Sequence, residues 1–178
     1  IVSRRQRQMC IRDSNNTQYR ETVLLQGDVG SGKTIVSLLT AIPFIQKHKQ
    51  VAYMAPTEIL ANQIYSNVLN HLDNEEVNPI LLTGSSKNKS EIYEKIEKGI
   101  FNFIIGTHAI FQENLNFSSL AYVIIDEQHR FGVQQRLYLA EKGINTNILL
   151  MSATPIPRTL ALAPVSYTHL TLPTRDDV

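Results

Sequence analysis

Short runs of apolar residues, many of them β-branched, recur along the chain between longer polar or amphipathic segments. Six of these runs predict strands, at residues 23–26, 51–54, 80–82, 103–105, 122–125 and 148–151. The runs are continuously apolar and do not alternate with polar residues. This pattern is typical of strands that are buried on both faces of a parallel sheet.

The segments between the runs predict helices. Over 58–72, apolar residues recur at every fourth position, which gives one buried stripe. Over 90–98, two Glu–Lys pairs spaced four residues apart lie on the solvent side, and Gly99 follows in the position of a helix C-cap. The segment after Lys33 is also helical, and Pro43 is predicted to end or kink it. Strands that alternate with helices predict an α/β fold with three layers and a mainly parallel central sheet.

Composition narrows the class of protein. The chain has 178 residues, 43% of them hydrophobic and 19% charged, which suits about one globular domain. No apolar run approaches the roughly 18 residues needed to cross a bilayer, so no membrane partner is expected. The single cysteine, Cys10, excludes a disulfide framework.

The net charge of +1 conceals an uneven distribution. Of the 17 Lys and Arg residues, five lie within 1–14 and 164–178, as do three of the 16 Asp and Glu residues. The middle of the chain therefore has a net charge of −1. Bulk positive charge therefore does not attract the ligand of residues 15–163.

A glycine-rich stretch predicts a phosphate-binding loop. Residues 27–34 match G-x-x-x-x-G-K-[ST], follow a predicted strand and open a predicted helix. The residues of this loop are Gly27, Asp28, Val29, Gly30, Ser31, Gly32, Lys33 and Thr34. Backbone N–H groups and the helix N-terminus would surround the phosphates, Lys33 would reach the β- and γ-phosphates, and the Thr34 hydroxyl would bind Mg²⁺. ATP and Mg²⁺ are therefore the expected cofactors.

Two adjacent carboxylates end the predicted strand at 122–125. Parallel sheets bind ligands at the carboxyl ends of their strands, which is the edge that also carries the phosphate loop. Asp126 is the expected partner of Mg²⁺, and Glu127 is the expected general base that polarises the attacking water. Lys33 and Glu127 are thus the predicted catalytic residues.

Other chemistries lack support in the sequence. Its five histidines and one cysteine form no zinc-binding pattern, and no G-x-S-x-G motif is present.

An ordered set of motifs resembles the superfamily 2 helicases. The set comprises the strings GDVGSGKT at 27–34, APTEILA at 55–61, LTGS at 82–85, IGTHA at 105–109, DEQH at 126–129 and SAT at 152–154. The longer strings DEQHRFGVQQR at 126–136 and MSATPIPRTL at 151–160 are similar, more narrowly, to the RecG family of bacterial DNA helicases. The translocase of the transcription-repair coupling factor is the alternative, and Gln128 favours RecG.

This resemblance implies a RecA-like P-loop NTPase lobe and assigns further roles. Residues that would grip DNA through its phosphates are Pro56, Thr57, Thr83, Gly84, Thr107 and His108. Residues that would couple the γ-phosphate to that grip are Gln128, His129, Ser152, Ala153 and Thr154. Short hydroxyl side chains suit contacts to a DNA backbone that do not depend on sequence. Thr57 is also expected to be a helix N-cap.

The resemblance also implies a larger enzyme of the bacterial cytoplasm that remodels branched DNA in recombination and repair. Residues 15–163 would form a truncated ATP-binding lobe, while 1–14 and 164–178 depart from the family pattern and are expected to be foreign sequence. A second RecA-like lobe and a wedge domain of the same protein would be its partners. A different class of function also stays open, in which the chain alone is a nucleotide-binding module without helicase activity.

Overall fold

The computed structural model describes residues 21–72, 76–127 and 146–153, together with the backbone of residues 167–171. Within these ranges seven strands form one sheet. The strands are β1 (Thr22–Gln26), β2 (Gln50–Met54), β3 (Pro79–Leu82), β4 (Phe103–Gly106), β5 (Leu120–Ile125), β6 (Asn147–Ser152) and β7 (Tyr167–Thr171). Their order across the sheet is β3-β4-β2-β5-β6-β1-β7, and every neighbouring pair is parallel.

The six strands predicted from apolar runs are confirmed, and each is one or two residues longer than its run. Strand β7 was not predicted, because its residues lack the continuous apolar run of the other six. Its backbone pairs with β1 from Thr22 to Gln26. The division of the chain at residues 14 and 163 stays a prediction.

Three α-helices and a short 3-10 helix lie within the described ranges. They are α1 (Lys33–Gln46), α2 (Glu58–His71), α3 (Lys89–Glu97) and the 3-10 helix His108–Phe111. Of the two effects expected of Pro43, ending α1 is wrong, because the helix continues to Gln46, whereas a kink stays a prediction. Pro43 lies in the last turn, where it removes one helical hydrogen bond while Phe44 and Ile45 remain buried in the core. None of the described helices combines the length and hydropathy needed to cross a membrane.

Helix α3 ends as its sequence predicted. Gly99 adopts a left-handed backbone with φ of 74°, and its N–H donates to the carbonyl of Ile96 at 2.9 Å. The Lys95 ammonium pairs with Glu91 at 2.7 Å, one turn away on the exposed face. Glycine tolerates the left-handed conformation that terminates a helix, so the chain can turn directly into β4.

Two apolar clusters cover the two faces of the sheet. One includes Tyr53, Ile105 and Ile124 and packs against α1 and α2 through Leu38 and Ile64. The other includes Ala52, Ile104 and Val123 and packs against α3 and the 3-10 helix. Successive residues of the central strands thus enter opposite clusters, which confirms a three-layer α/β domain.

A buried glutamine joins four segments at the amino ends of the strands. The Gln50 amide nitrogen donates to the carbonyls of Ile96 at 2.8 Å and Phe101 at 2.9 Å. Its oxygen accepts from the Ser118 hydroxyl and the Ser119 N–H, each at 3.0 Å. Gln50 is only 1% exposed, so these four bonds replace its contacts with water and fix this edge of the sheet.

Candidate nucleotide and nucleic-acid site

The predicted motifs meet at one edge of the sheet, where the parallel strands end. Backbone hydrogen bonds continue beyond the strands there. The Gly27 N–H donates to the carbonyl of Ser152 at 3.2 Å, and the Asp126 N–H donates to the carbonyl of Met54 at 2.9 Å. These bonds hold the start of the phosphate loop beside the end of β6, and the predicted metal ligand beside the end of β2.

This edge divides into two adjacent halves. The ends of β5, β6 and β1 carry the residues predicted to handle nucleotide, and we call them the nucleotide half. The ends of β3, β4 and β2 carry the residues predicted to grip DNA, and we call them the grip half. The halves meet where β2 pairs with β5. The order of the motifs along the chain does not reveal this division. Along the chain β2 lies between β1 and β5, but in the sheet β5 and β6 separate β2 from β1.

The phosphate loop has the backbone conformation that its glycines permit. Gly30 and Gly32 have φ of 81° and 87°, in the left-handed region that residues with a Cβ rarely adopt. Gly32 caps α1 without a side-chain hydrogen bond, and a Cβ at either glycine would meet no heavy atom within 4 Å. The loop therefore leaves open space at the helix N-terminus, where a phosphate would be stabilised by the helix dipole.

Lys33 folds back across this loop. Its Nζ atom donates to the carbonyl oxygens of Gly27 and Asp28, at 2.7 Å each. The Asp28 side chain is exposed, which keeps its negative charge in water and away from the loop interior. Val29 is 90% exposed, so the tip of the loop projects from the domain. The predicted contact of Lys33 with the β- and γ-phosphates stays a prediction.

The two predicted carboxylates lie in different surroundings. Burial, and then repulsion from Glu127, raise the pKa of Asp126, while a hydrogen bond from the Glu127 backbone and the charge of Lys33 oppose that rise. Glu127 has φ of 51°, a strained conformation for a residue with a Cβ. Asp126 and Lys33 therefore interact electrostatically across the nucleotide half, as a metal ligand and a phosphate-binding cation should.

The donor set suits a magnesium ion. Mg²⁺ favours oxygen ligands and retains several waters, so that one or two protein groups and substrate phosphates complete its coordination. Thr34 in the first turn of α1 and Asp126 after β5 provide one hydroxyl and one carboxylate. In the described part of the chain, no group of three or more His, Cys, Asp or Glu side chains could hold a metal by themselves.

Thr57 begins α2 and is its N-cap, as expected. Its backbone is extended, and its Oγ1 accepts a hydrogen bond from the Leu60 N–H at 3.3 Å. The next residue, Glu58, reaches the turn after β3. Its carboxylate accepts from the Ser85 hydroxyl at 3.0 Å and from the Ser85 N–H at 3.3 Å. Glu58 thus joins two segments of the grip half.

The grip half exposes fewer of its predicted residues than the sequence suggested. Thr83 and Thr107 are each only 4% exposed, whereas Gly84 and His108 are exposed. The Thr83 hydroxyl is within 2.9 Å of the Ser85 hydroxyl. This contact supports the turn after β3, and the exposed neighbours Gly84 and His108 offer the accessible surface.

The predicted coupling residues are only partly described. Ser152 is fully buried and its carbonyl accepts the Gly27 N–H, so the end of β6 contacts the phosphate loop directly. Ala153 follows at the end of that strand and is partly exposed. Gln128, His129 and Thr154 lie outside the described residues. Their coupling role stays a prediction.

Three residues of this edge had no role in the sequence interpretation. Tyr53 is a fully buried phenol in an apolar strand, so its sequence context indicated only a core position. Glu58 follows an N-cap, where a carboxylate is common because it stabilises the helix dipole. Lys89, whose Nζ donates to the carbonyl of Gly84 at 2.7 Å, lies in a polar segment without a motif. Only the folded arrangement places these side chains at the site.

Comparison with known proteins identifies the family. The DEAD/DEAH box helicase family model matches residues 6–163. ATP-dependent DNA helicase RecG of Borreliella burgdorferi is 56% identical over 141 residues, covering 78% of this chain and 21% of that protein. RecG of Escherichia coli K12 is 52% identical over 145 residues, again covering 78% of this chain and 21% of that protein. The chain spans about a fifth of the length of these curated relatives.

Solved structures agree with this assignment. A structure of RecG bound to a three-way DNA junction superimposes with a TM-score of 0.78 and 37% identity, covering 94% of this chain and 24% of that one. The DEAD-box helicase Mss116, bound to single-stranded RNA, superimposes with a TM-score of 0.74. This match covers 96% of this chain and 40% of Mss116, and at 22% identity it supports the fold alone.

The matches to RecG do not favour the alternative that the chain comes from a transcription-repair coupling factor. The chain therefore belongs to the DEAD/DEAH box helicase family and matches part of the RecG helicases, in agreement with its glycine-rich loop and its RecA-like sheet.

Proposed function

We propose that the chain is the first motor lobe of a RecG-type, ATP-dependent DNA helicase. The whole enzyme would act in the bacterial cytoplasm and couple ATP hydrolysis to the remodelling of branched DNA in recombination and repair. The observation that carries this proposal is the division of one sheet edge into a nucleotide half and a grip half that share the β2–β5 boundary. A motor needs the two sites to be energetically coupled, because the state of one must change the affinity of the other, and adjacent sites on one sheet edge make such coupling direct.

In the nucleotide half, residues 27–34 bind the phosphates of ATP. Lys33 already lies across the loop, and it exchanges its bonds to the Gly27 and Asp28 carbonyls for bonds to phosphate oxygens. Thr34 and Asp126 are the residues that hold Mg²⁺. When bound, this ion neutralises part of the phosphate charge.

Glu127 is the proposed general base. It follows Asp126 after the end of β5, and its backbone has the left-handed φ of 51°. A carboxylate in this position orients the attacking water and accepts its proton. The strained φ supports this role, because such strain persists where the surroundings fix a side chain for a task.

In the grip half, exposed groups contact the DNA backbone and buried groups hold them. Gly84 and His108 are the proposed contacts, and Pro56 lies at the start of the same edge. Thr57 fixes the start of α2 through its N-cap bond, Thr83 supports the turn after β3 through its contact with the Ser85 hydroxyl, and Thr107 is buried after β4. Contacts of this kind position a strand without reading its sequence, and they do not need a basic domain.

The lobe needs its partners for turnover. In P-loop motors an arginine from another lobe or subunit stabilises the charge that develops on the phosphates, and its loss lowers turnover by a factor of about 10³ or more. We assign this group to a second RecA-like lobe of the same protein, and recognition of the branch point to a wedge domain. Gln128, His129, Ser152, Ala153 and Thr154 couple the nucleotide half to these movements.

The experiment compares the 178-residue chain with the longer helicase that contains it. We expect the chain to bind Mg·ATP weakly and to lack DNA-stimulated ATPase activity. The longer protein should bind Mg·ATP and hydrolyse it faster when DNA is present. A DNA-dependent rate in the chain near that of the longer protein would contradict the need for a second lobe. Failure of both to bind ATP would overturn the proposed function.

A variant of the longer protein tests the general base. Glu127→Gln should retain ATP binding and abolish hydrolysis, because the amide keeps the shape of the carboxylate but cannot accept the proton. The matched control is Glu113→Gln, at an exposed position after the 3-10 helix, which should hydrolyse ATP at the wild-type rate. Intact turnover in Glu127→Gln would remove Glu127 from this role.

A further inference from the structure

Three side-chain hydroxyls at the site edge are buried without a hydrogen-bond partner among the described residues. They belong to Ser31 in the phosphate loop, Tyr53 near the end of β2 and Thr107 after β4. Tyr53 is the largest fully buried side chain in the described core. Burying a hydroxyl without a partner costs free energy that phenylalanine would avoid. This phenol therefore calls for an explanation beyond packing.

Tyr53 lies on the strand where the grip half meets the nucleotide half. Its ring belongs to the cluster that packs against α1, and its polar surroundings include the hydroxyls of Thr34 and Ser37 and the carboxylate of Asp126. The Ser37 hydroxyl donates to the Thr34 carbonyl at 2.7 Å, and its oxygen can still accept a hydrogen bond. Thr34 Oγ1 can likewise accept one while its other lone pair binds a metal, so of these two hydroxyls Thr34 is the one whose position matters for Mg²⁺.

The phenol is a donor under all ordinary conditions. Burial, and then the charge of Asp126, raise the pKa of Tyr53 far above its usual value. The group thus stays protonated in the folded protein, so its role cannot depend on a phenolate.

We propose that Tyr53 is a positioning residue for the metal side of the nucleotide site, where its hydroxyl donates to Thr34 Oγ1 once Mg²⁺ and nucleotide are bound. This inference rests on the proposed function, since it requires Thr34 to be a magnesium ligand. The donated bond fixes the Thr34 rotamer with a lone pair toward the ion. In the nucleotide-free protein the hydroxyl lies beside Thr34 and Ser37 without a well-formed hydrogen bond to either, so we expect it to contribute more to binding than to folding.

The test separates these two contributions in the 178-residue chain. Tyr53→Phe should raise the Kd for ADP in the presence of Mg²⁺ about tenfold, equivalent to about 1.4 kcal/mol. The Kd for ADP in EDTA should be unchanged, because the phosphate loop does not need Tyr53. The midpoint of urea unfolding, measured without nucleotide, should equal or exceed that of the wild type.

Tyr122 is the matched control. It is a second buried phenol against α1, its ring stacks on Phe44 at 4.5 Å, and its hydroxyl donates to Thr40 at 2.9 Å. Tyr122→Phe removes a bond that is already made. It should therefore lower the unfolding midpoint and leave both ADP affinities unchanged.

The outcomes are distinct. Equal loss of ADP affinity with and without Mg²⁺ in Tyr53→Phe, or no loss in either condition, would overturn the positioning role while leaving the proposed function intact. A lowered unfolding midpoint like that of Tyr122→Phe, with unchanged magnesium dependence, would make Tyr53 a core residue only. Wild-type protein that binds no ADP in either condition would overturn both this inference and the proposed function.

Discussion

Gly106 lies so close to Leu82 that a Cβ at position 106 would stand 1.9 Å from the Leu82 carbonyl oxygen. The same oxygen accepts a hydrogen bond from the Thr107 N–H at 3.3 Å. Two strands of the grip half are thus held together where one of them has no side chain. The approach is backbone to backbone, so a side chain at 106 could not be accommodated by changing a rotamer.

Gly106→Ala should destabilise the domain. Forcing an extra methyl group into a packed site costs about 1–3 kcal/mol, and a clash with backbone favours the upper end of that range. The measurement is urea unfolding. Gly84→Ala is the control, because a Cβ there would meet only the flexible end of Glu58, at 3.2 Å. Equal losses in the two variants would contradict a steric requirement specific to Gly106.

Lys33→Met should lose nucleotide affinity with little loss of stability. The variant removes the cation that reaches the phosphates, and we expect the Kd for Mg·ATP to rise at least tenfold, equivalent to about 1.4 kcal/mol. Lys89→Met is a closely matched control, since Lys89 also bonds a loop carbonyl at 2.7 Å but lies in the grip half. Equal losses of ATP affinity in the two variants would show that the effect is not specific to the phosphate loop.

The contact between Glu58 and Ser85 predicts a pH effect in the grip half. The Ser85 hydroxyl, more than any other group, holds the pKa of Glu58 below its ordinary value. A carboxyl whose pKa is lower in the folded state stabilises that state above its unfolded pKa, and this contribution is lost as the pH falls through the folded value. The turn at 83–86 should therefore loosen only when the pH falls below the ordinary pKa of a glutamate carboxyl.

Nuclear magnetic resonance can follow this titration at the Glu58 carboxyl. In Ser85→Ala its pKa should rise toward the ordinary value, because the largest cause of the shift is removed. In Thr57→Ser, which retains an N-cap hydroxyl, it should stay low. An unchanged Glu58 pKa in Ser85→Ala would mean that another group lowers it.

Gln50→Leu should cost much stability and no nucleotide affinity. The substitution leaves the Phe101 carbonyl and the Ser119 N–H without their partner, while the Ile96 carbonyl keeps its bond from the Gly99 N–H. An unsatisfied buried group costs about 1–3 kcal/mol. We expect a loss of about 3 kcal/mol in urea unfolding. Gln63→Leu, on the exposed face of α2, should change stability by less than about 0.5 kcal/mol. A loss of ATP affinity in Gln50→Leu would contradict the separation of the two edges.

The sequence predicted the parts of this domain whose determinants are local. Continuous apolar runs identified six strands, and the spacing of glycines with Lys33 and Thr34 identified the phosphate loop. The effect of Pro43 was misjudged because packing of the last turn of α1 outweighed a single lost hydrogen bond. Glu58 was missed because its partner Ser85 lies far away in the chain, and Tyr53 because Thr34 and Asp126 come near it only in the folded sheet. Such contacts depend on strand order, which periodicity does not reveal.

The four bonds of Gln50 have a mechanical consequence for the whole lobe. At the amino ends of the strands, that side chain ties the end of α3, the start of β4 and the start of β5 to β2. At the carboxyl ends, the hydroxyls of Ser31, Tyr53 and Thr107 have no partner among the described residues. The amino edge of the sheet is thus fixed by satisfied hydrogen bonds, whereas the carboxyl edge has buried hydroxyls that could bond to a ligand. If the chain is the motor lobe proposed above, a ligand at the second edge can rearrange its polar groups while the hydrogen bonds of Gln50 hold the amino ends of the strands in place.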